Sequence, residues 1–524
     1  MREFNIFGPT FAQLHYHIDR QQIKAQLHKK IEGARYFTLN AARQIGKTTI
    51  FHEMVDEVQT GGQYFCIYLD FEELVDLEKG RFYEGLGLLL EEWRIQYEPT
   101  APEPLPMRDH LDLTQWLQST NQALGKQGVL IIDEFEAVST DIIMPILSRF
   151  RGIYVNRLSH TKHTLRSIVL VGVRTIASLL QGTQSPFNIA DQFTVSYFTF
   201  EETQQLLQQH TEATGQIFEP ATIQAIYAQS QGQPFLVNRL AKMLVEEIVP
   251  RDTSDDLDPQ TRPVTLYHFE KALIRLVNEN NSHFYTITSK AIPHKAWLLP
   301  LLFYNRPQTN FREPVTAELL MYGVLRIMED EYDLQTARIA NPIYRKVLLL
   351  TFVPNIDDTY QPNGTVRHYY LIDGHLDFAG ILDSFKEFMV EHGVRLLKSA
   401  KSGRPLEMSG QYLLLSFLTA ALNSIQGFVT IESMSDAGEI DILIFFRGQR
   451  FIVETKIWRG PTMFEKGKTQ LTDYLEAASL EEGYLIIFDD KLESNSLIPT
   501  HSERFETTHN GKLLQVYLVP VQVI

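Results

Sequence analysis

Three short stretches of this chain carry residues able to do chemistry. The first is Ala41-Ala42-Arg43-Gln44-Ile45-Gly46-Lys47-Thr48-Thr49. A glycine followed by a lysine and two hydroxyl residues, set between a strand-like and a helix-like run, suits a polyphosphate. Backbone N–H groups of such a loop and of the helix start converge on an anion. Lys47 would reach the outer phosphates and the Thr48 hydroxyl would hold a magnesium ion, with Gln44, Ile45, Gly46 and Thr49 completing the cradle. Ala41 stands where the usual pattern has its first glycine. The second stretch is Gly128-Val129-Leu130-Ile131-Ile132-Asp133-Glu134, an apolar strand ending in two carboxylates, the Walker B arrangement. Asp133 would share the magnesium with Thr48 through water, and Glu134 would orient or deprotonate the attacking water. Each stretch alone has an ordinary reading, as a chance Gly-Lys-Thr loop or as a strand ending in two solvated acids. Together they favour nucleotide chemistry.

The third stretch is Asp441 with Glu454-Thr455-Lys456 thirteen positions on, separated by the turn signal Arg447-Gly448-Gln449. A two-residue turn at Arg447-Gly448 leaves Asp441 and Glu454 equally far from it. They then face each other across a hairpin, with β-carbons roughly 4.5–5.5 Å apart. Lys456 shares the face of Glu454 by strand alternation. Two carboxylates so close repel unless a cation separates them, and magnesium, which prefers oxygen ligands, would serve. A lysine beside it can hold the attacking water or a phosphate, the logic of a metal-dependent phosphodiesterase. Glu407, ahead of a helix over 410–423, offers a third carboxylate. Gln470 and Tyr474, four apart, share a helix face suited to a nucleic-acid backbone. Glu-x-Lys alone is most often a pair of exposed charges. The hairpin, Asp441 and the later helix turn the balance toward nuclease chemistry.

The elements that must position these residues follow from the chain's order. Residues 1–33 form an N-terminal segment holding His15-Tyr16-His17, read as loop residues, with nucleotide contact as the lesser option and a metal site as weaker still. Residues 34–200 alternate strand-like and helix-like runs, the pattern of a parallel α/β sheet and here a P-loop ATPase core. A buried strand, Ser167–Val173, leads to Arg174, a candidate for sensing a terminal phosphate, although a lone arginine at a strand end is more often a surface salt-bridge partner. Arg149, Arg151 and Arg157 are candidate arginine fingers, in cis or from a neighbouring copy. Residues 201–250 read as a helical lid. In Gln231-Gly232-Gln233-Pro234 a glycine ends one helix and a proline starts the next, which suffices as capping chemistry; the functional alternative is a lid that closes on the nucleotide, with Pro234 near the base. An acidic linker follows. Residues 264–352 read as a winged-helix-like region without a basic recognition helix, hence regulatory packing. After a second linker, residues 368–524 hold two helices and five strand-like runs.

A chain of 524 residues exceeds one ordinary core, so two to four domains are expected. No apolar run reaches membrane-spanning length, and the N-terminus lacks the apolar stretch of a signal peptide. A single cysteine, Cys66, excludes an intrachain disulfide and a Cys-based zinc site. The expectation is a cytoplasmic protein with no membrane partner. The net charge of −16 argues against general nucleic-acid stickiness. Between Arg395 and Leu475, however, ten Lys and Arg meet eight Asp and Glu, so the third motif lies in a locally positive stretch.

On these residues the chain resembles bacterial AAA-like P-loop ATPases, related to the STAND ATPases, that carry a C-terminal PD-(D/E)XK nuclease domain. The likeness runs nearly end to end. It includes Phe4-Asn5-Ile6-Phe7-Gly8-Pro9, the loop through Thr49, Ser185-Pro186-Phe187-Asn188-Ile189-Ala190, Gly232-Gln233-Pro234-Phe235-Leu236-Val237-Asn238 and Ala340-Asn341-Pro342-Ile343-Tyr344. In the last part it runs through Glu407, Glu432, Asp441, Glu454-Thr455-Lys456, Gln470-Leu471 and Tyr474. One departure is Glu439-Ile440, where such chains carry an arginine ahead of the aspartate. The resemblance implies an α/β fold: a P-loop parallel sheet with lid and winged helix, then a restriction-endonuclease-like α/β domain. It implies ATP and magnesium as cofactors, with Lys47, Thr48, Asp133 and Glu134 serving the ATPase and Asp441, Glu454 and Lys456 the nuclease. DNA rather than RNA is the expected partner, with homo-oligomers forming through the ATPase domain and defence against foreign DNA as the setting. The alternative is an ATP-dependent switch, or a DNA-remodelling ATPase, whose last domain binds nucleic acid without cutting it.

Overall fold

The computed structural model describes the chain except residues 1, 41–43, 105, 157–164, 173–189, 254–256, 305–307, 330–333, 353–370, 373–374, 390–406, 424–427, 436–437, 447–448, 490–503 and 521–524. It divides into two compact units. The first is Met1–His294 with Arg306–Arg345, and the second is Lys295–Asn305 with Lys346–Ile524. Lys295–Asn305, inside the stretch 264–352, thus clusters with the second unit.

The first unit is built on a parallel sheet of β1 (Phe37–Asn40), β2 (Tyr64–Asp70), β3 (Gln127–Asp133), β4 (Leu165–Gly172) and β5 (Asp191–Phe193), in the order β2-β3-β4-β1-β5. Its strands are near-continuous apolar runs because both faces are covered. Phe65, Ile67, Leu69, Leu130, Ile132 and Leu170 enter one apolar layer. Their alternating neighbours, among them Cys66, Val129, Ile131, Val169 and Val171, enter the other. The second layer packs on α1 (Gln21–Glu32) and α2 (Lys47–Gly61), the first on α3 (Lys79–Tyr97), α4 (His110–Leu124) and α5 (Thr140–Val155). Each fully buried aliphatic or aromatic side chain contributes about 1.5–3 kcal/mol, so the sheet is a rigid platform. β1 lies between β4 and β5, although the chain leaves it for β2 at the far edge. Such a reversal opens a crevice at the carboxyl ends of the strands, and α2 begins there.

The lid helices are α6 (Phe200–Thr214), α7 (Pro220–Ser230) and α8 (Pro234–Met243). Thr199 and Glu202 cap α6 reciprocally. Gly232, between α7 and α8, has φ +74, and a Cβ there would lie 1.9 Å from the Phe198 carbonyl oxygen. Only glycine fits that turn. The unit continues through α9 (Leu266–Val277) and α10 (Ser282–Ala291). The chain then passes through α11 (Lys295–Tyr304) and returns with α12 (Pro314–Met321), the hairpin of β6 (Leu325–Glu329) and β7 (Gln335–Ile339), and the start of α13 (Pro342–Phe352).

The second unit has a short hairpin, β8 (Leu371–Ile372) and β9 (His375–Leu376), then α14 (Phe378–Phe388) and α15 (Glu407–Asn423). Its main sheet comprises β10 (Phe428–Ser435), β11 (Gly438–Phe446), β12 (Gln449–Ile457), β13 (Glu482–Asp489), β14 (Arg504–His509) and β15 (Lys512–Pro520), with α16 (Pro461–Ala477) following β12. The order is β10-β11-β12-β13-β15-β14. The first three strands are antiparallel, and β12, β13 and β15 are parallel. Leu471, Tyr474 and Leu475 of α16 pack on Leu443, Ile452, Leu485 and Ile487 on one face. On the other, Gly410 of α15 lies against Phe488 and Phe378 of α14 against Tyr484. β14 was not among the strand-like runs of the sequence, because Arg504-Phe505-Glu506-Thr507-Thr508-His509 is a half-exposed edge strand with little apolar content. Among the described residues, no helix is long and apolar enough to cross a membrane.

Candidate functional site

Residues 41–43, the first part of the phosphate-loop motif, lie outside the described residues. From Gln44 on the geometry is that of an anion cradle. Gln44 and Gly46 are both left-handed, with φ +58 and +87. Gly46 is the N-cap of α2, and no side chain caps it, so the first-turn N–H groups remain for a ligand. Lys47 is 7% exposed, and among the described residues its Nζ makes no hydrogen bond. Its ion-pair partner is Glu134 Oε1 at 3.6 Å. A buried ammonium so poorly compensated calls for an anion, which fits a nucleotide phosphate. Thr48 is half-buried beside it, and Thr49 Oγ1 accepts a hydrogen bond from the Thr10 amide at 2.9 Å.

The two acids end β3 as that strand's pattern requires. Asp133 is 3% exposed, and its Oδ2 accepts from the Tyr68 hydroxyl at 2.8 Å while its Oδ1 accepts from the Glu134 amide at 2.9 Å. Burial pushes its carboxyl up, against the pull of Lys47 and of the Tyr68 hydrogen bond. Burial, reinforced by Asp133, likewise pushes the Tyr68 hydroxyl up. Glu134 adopts φ +47, ψ +39, a left-handed backbone that costs a non-glycine residue roughly 1–2 kcal/mol and marks functional turns. Gln44, Lys47, Thr48 and Glu134 line one cavity of about 260 Å³. Its remaining wall includes Ser282, His283, Thr286 and Tyr322, which the sequence did not mark, and Tyr344 of the stretch Ala340–Tyr344, which it did. His283 lies 2.6 Å from the Tyr344 hydroxyl, and burial brings its imidazole down to about 3.

Behind the loop, Ile45, Gly46 and Thr49 share a smaller cavity of about 60 Å³ with Pro234, Asn238 and His17. Pro234 therefore stands beside the phosphate loop. Gln233 Nε2 reinforces that approach by donating to the Gln44 carbonyl at 3.2 Å. His17, read first as a loop residue, is in this wall and also pairs with Glu53 at 2.8 Å. Arg149 donates to Thr114 of α4, and neither it nor Arg151 lines the larger cavity. Arg157, Arg174 and 185–189 lie outside the described residues. Tyr68, which holds Asp133, carries no signal in sequence: it is one more aromatic in a buried strand.

In the second unit the hairpin has the expected ladder. Phe446 faces Gln449 and Ile442 faces Val453, so the next step outward sets Asp441 across from Glu454. Each of the two carboxylates has a partner of its own within the protein. Glu454 is fully buried and takes a hydrogen bond from Lys456 Nζ. Asp441 Oδ2 instead accepts from the Thr455 amide at 2.8 Å and the Thr455 hydroxyl at 2.9 Å. Burying a carboxylate is costly unless a cation neutralises it, and within the protein Lys456 does so. Gly467 of α16 makes room, since a Cβ there would lie 3.1 Å from Lys456 Cγ.

Gln470 Nε2 donates to the Tyr474 hydroxyl at 2.7 Å, and Tyr474 is only 3% exposed. Tyr474 thus faces the sheet and offers little surface to a nucleic-acid backbone. Burial raises its hydroxyl, with Glu454 and Asp441 adding to the rise and Lys456 opposing it, so these four groups share one electrostatic neighbourhood. Glu407 begins α15, but its side chain lies outside the described residues. Among the described residues no group of three or more His, Cys, Asp or Glu could hold a metal ion. Asp441 and Glu454 suit magnesium in kind, as hard oxygen ligands, and supply two positions.

No family model matches the chain, and no curated protein matches it. Among solved structures it is similar to a Walker-type ATPase of Pyrococcus abyssi, at 16% identity over 66% of this chain and 99% of that one, with a TM-score of 0.44. It is also similar to the RuvB Holliday junction branch migration motor of Thermotoga maritima (16% identity, 59% and 90% covered, TM-score 0.33) and to the ORC2 protein of Aeropyrum pernix (14%, 64% and 95%, 0.31). These likenesses are too loose to carry a function, which has to come from the chain's own residues.

Proposed function

We propose that the first unit binds and hydrolyses ATP. The observation that carries this is the buried Lys47 ammonium, without a hydrogen bond, in the same cavity as Thr48 and Glu134 at the uncapped start of α2. Lys47 and the α2 amides hold and orient the phosphates. Thr48 and Asp133 would hold magnesium, which when bound screens the phosphate charge. Glu134 takes a proton from the attacking water at its carboxylate. The cavity beside Pro234 receives the base. The expected outcome is that Lys47→Ala abolishes ATP binding. Glu134→Gln should keep binding and lose turnover by roughly 10²–10⁴-fold. ATP turnover at the wild-type rate in both variants overturns the reading.

We further propose that this ATPase regulates a magnesium-dependent hydrolytic site for DNA phosphodiesters in the second unit. Two acids and a lysine in one neighbourhood, within a stretch of slightly positive charge in an acidic chain, support that reading. Asp441 and Glu454 would hold the metal, which when bound lowers the barrier to forming hydroxide. Lys456 would release Glu454 and hold the scissile phosphate. Defence against foreign DNA is a setting consistent with a nuclease under ATP control. The closed Glu454–Lys456 pair favours one rival, a switch whose second unit binds nucleic acid without cutting. Magnesium-independent DNA binding, with no cleavage under any nucleotide, decides for that rival. Magnesium-dependent cleavage lost in Glu454→Ala decides for the nuclease.

A further inference from the structure

Asp441 is held by a chain of hydrogen bonds that crosses three elements. Gln411 of α15 donates from Nε2 to Thr455 Oγ1 at 2.6 Å. A hydroxyl has one proton, and a carboxylate can only accept. The Thr455 hydroxyl therefore passes its proton on to Asp441 Oδ2 at 2.9 Å, while the Thr455 amide donates to the same oxygen at 2.8 Å. Both bonds fall on Oδ2, and no described residue donates to Oδ1. Thr455 is fully buried, so water cannot replace either partner. By alternation the Thr455 side chain lies on the sheet face opposite Glu454 and Lys456. The clip thus ties one oxygen of Asp441 to a residue whose side chain belongs to the opposite face.

We propose that Thr455, braced by Gln411, is the positioning residue of the acidic site: it fixes one oxygen of Asp441 so that the other is presented to a divalent cation. This rests on the reading of that site as metal-dependent. The middle residue of Glu454-Thr455-Lys456 is then a specific requirement, because valine has the same shape but cannot donate.

The test is Mn²⁺ binding to the full-length chain without nucleotide, followed by water-proton relaxation. Every variant also carries Asp133→Ala, so that the phosphate-loop site contributes no metal, and Asp441→Ala is the reference. Thr455→Val is expected to weaken Mn²⁺ binding roughly 10–100-fold, the usual effect of losing a partner behind a metal ligand. Thr455→Ser, which keeps the hydroxyl, is expected to bind as the parent does. Gln411→Leu is expected to weaken binding in the same direction, and it keeps the test alive if the valine variant does not fold. Parent-like affinity in Thr455→Val or in a folded Gln411→Leu overturns the inference and leaves the metal site standing. Equal losses in the serine and valine variants also overturn it, since packing would then be the cause. If the parent shows no Mn²⁺ binding that Asp441→Ala removes, the metal-dependent reading itself falls, and the inference with it.

Discussion

Tyr68→Phe removes one oxygen from the core of the first unit and nothing else. The ring stays packed beside His52, at 5.1 Å between centroids. What is lost is the hydroxyl donating to Asp133 Oδ2 at 2.8 Å, one of two hydrogen bonds that hold this carboxylate. A hydrogen bond to a charged group is worth about 1.5–3 kcal/mol. The bond is only part-buried, so the lower half applies: about 1.5–2 kcal/mol, or roughly 10–30-fold in an equilibrium. Burial already pushes Asp133 up and the Tyr68 bond opposes that rise, so its loss raises the carboxyl further. The expected result is an ATPase whose half-saturating magnesium rises by that factor and whose acid limb moves to higher pH. Nucleotide binding without magnesium should change little. Steady-state turnover against magnesium at several pH values reads both effects. An unchanged magnesium dependence with an unmoved acid limb would refute the role given to Asp133.

Gly232→Ala forces a Cβ to within 1.9 Å of the Phe198 carbonyl in a left-handed backbone. It should lower the urea midpoint by at least about 1–2 kcal/mol of stability, and wild-type stability would show that the turn relaxes freely. His283, brought down to about 3 by burial, stays neutral in the folded chain, while unfolded histidine titrates near pH ~6.5. The unfolded state therefore binds more protons as pH falls from about 6.5 toward 3, and stability drops across that window. His283→Gln should lose less stability than wild type between neutral and acid pH. Parallel pH curves for the two proteins would contradict this.

The phosphate loop was legible because its chemistry is local: a left-handed glycine, a lysine and a helix start occupy consecutive positions. β3 was legible because burial on both faces leaves an apolar run. The hairpin register followed from turn length, since pairing propagates outward from the turn. What the sequence could not show lies one level up. Alternation assigns a side chain to a face, but it does not show that Asp441 is tied to Thr455 and, through it, to Gln411 thirty residues earlier. Ser282, His283 and Tyr322 reach the cavity around Lys47 from distant parts of the chain, and nothing in their neighbours' spacing says so. The return of Lys295–Asn305 to the second unit is likewise a packing outcome that no linker composition announces.

The most direct measurement is cleavage of DNA by the purified chain in magnesium, with and without ATP, beside Asp441→Ala and Lys47→Ala. The account expects cleavage by the wild type, none by Asp441→Ala, and cleavage that no longer answers to ATP in Lys47→Ala. Cleavage that persists in Asp441→Ala, or a wild type that cuts identically whether or not ATP is present, contradicts it.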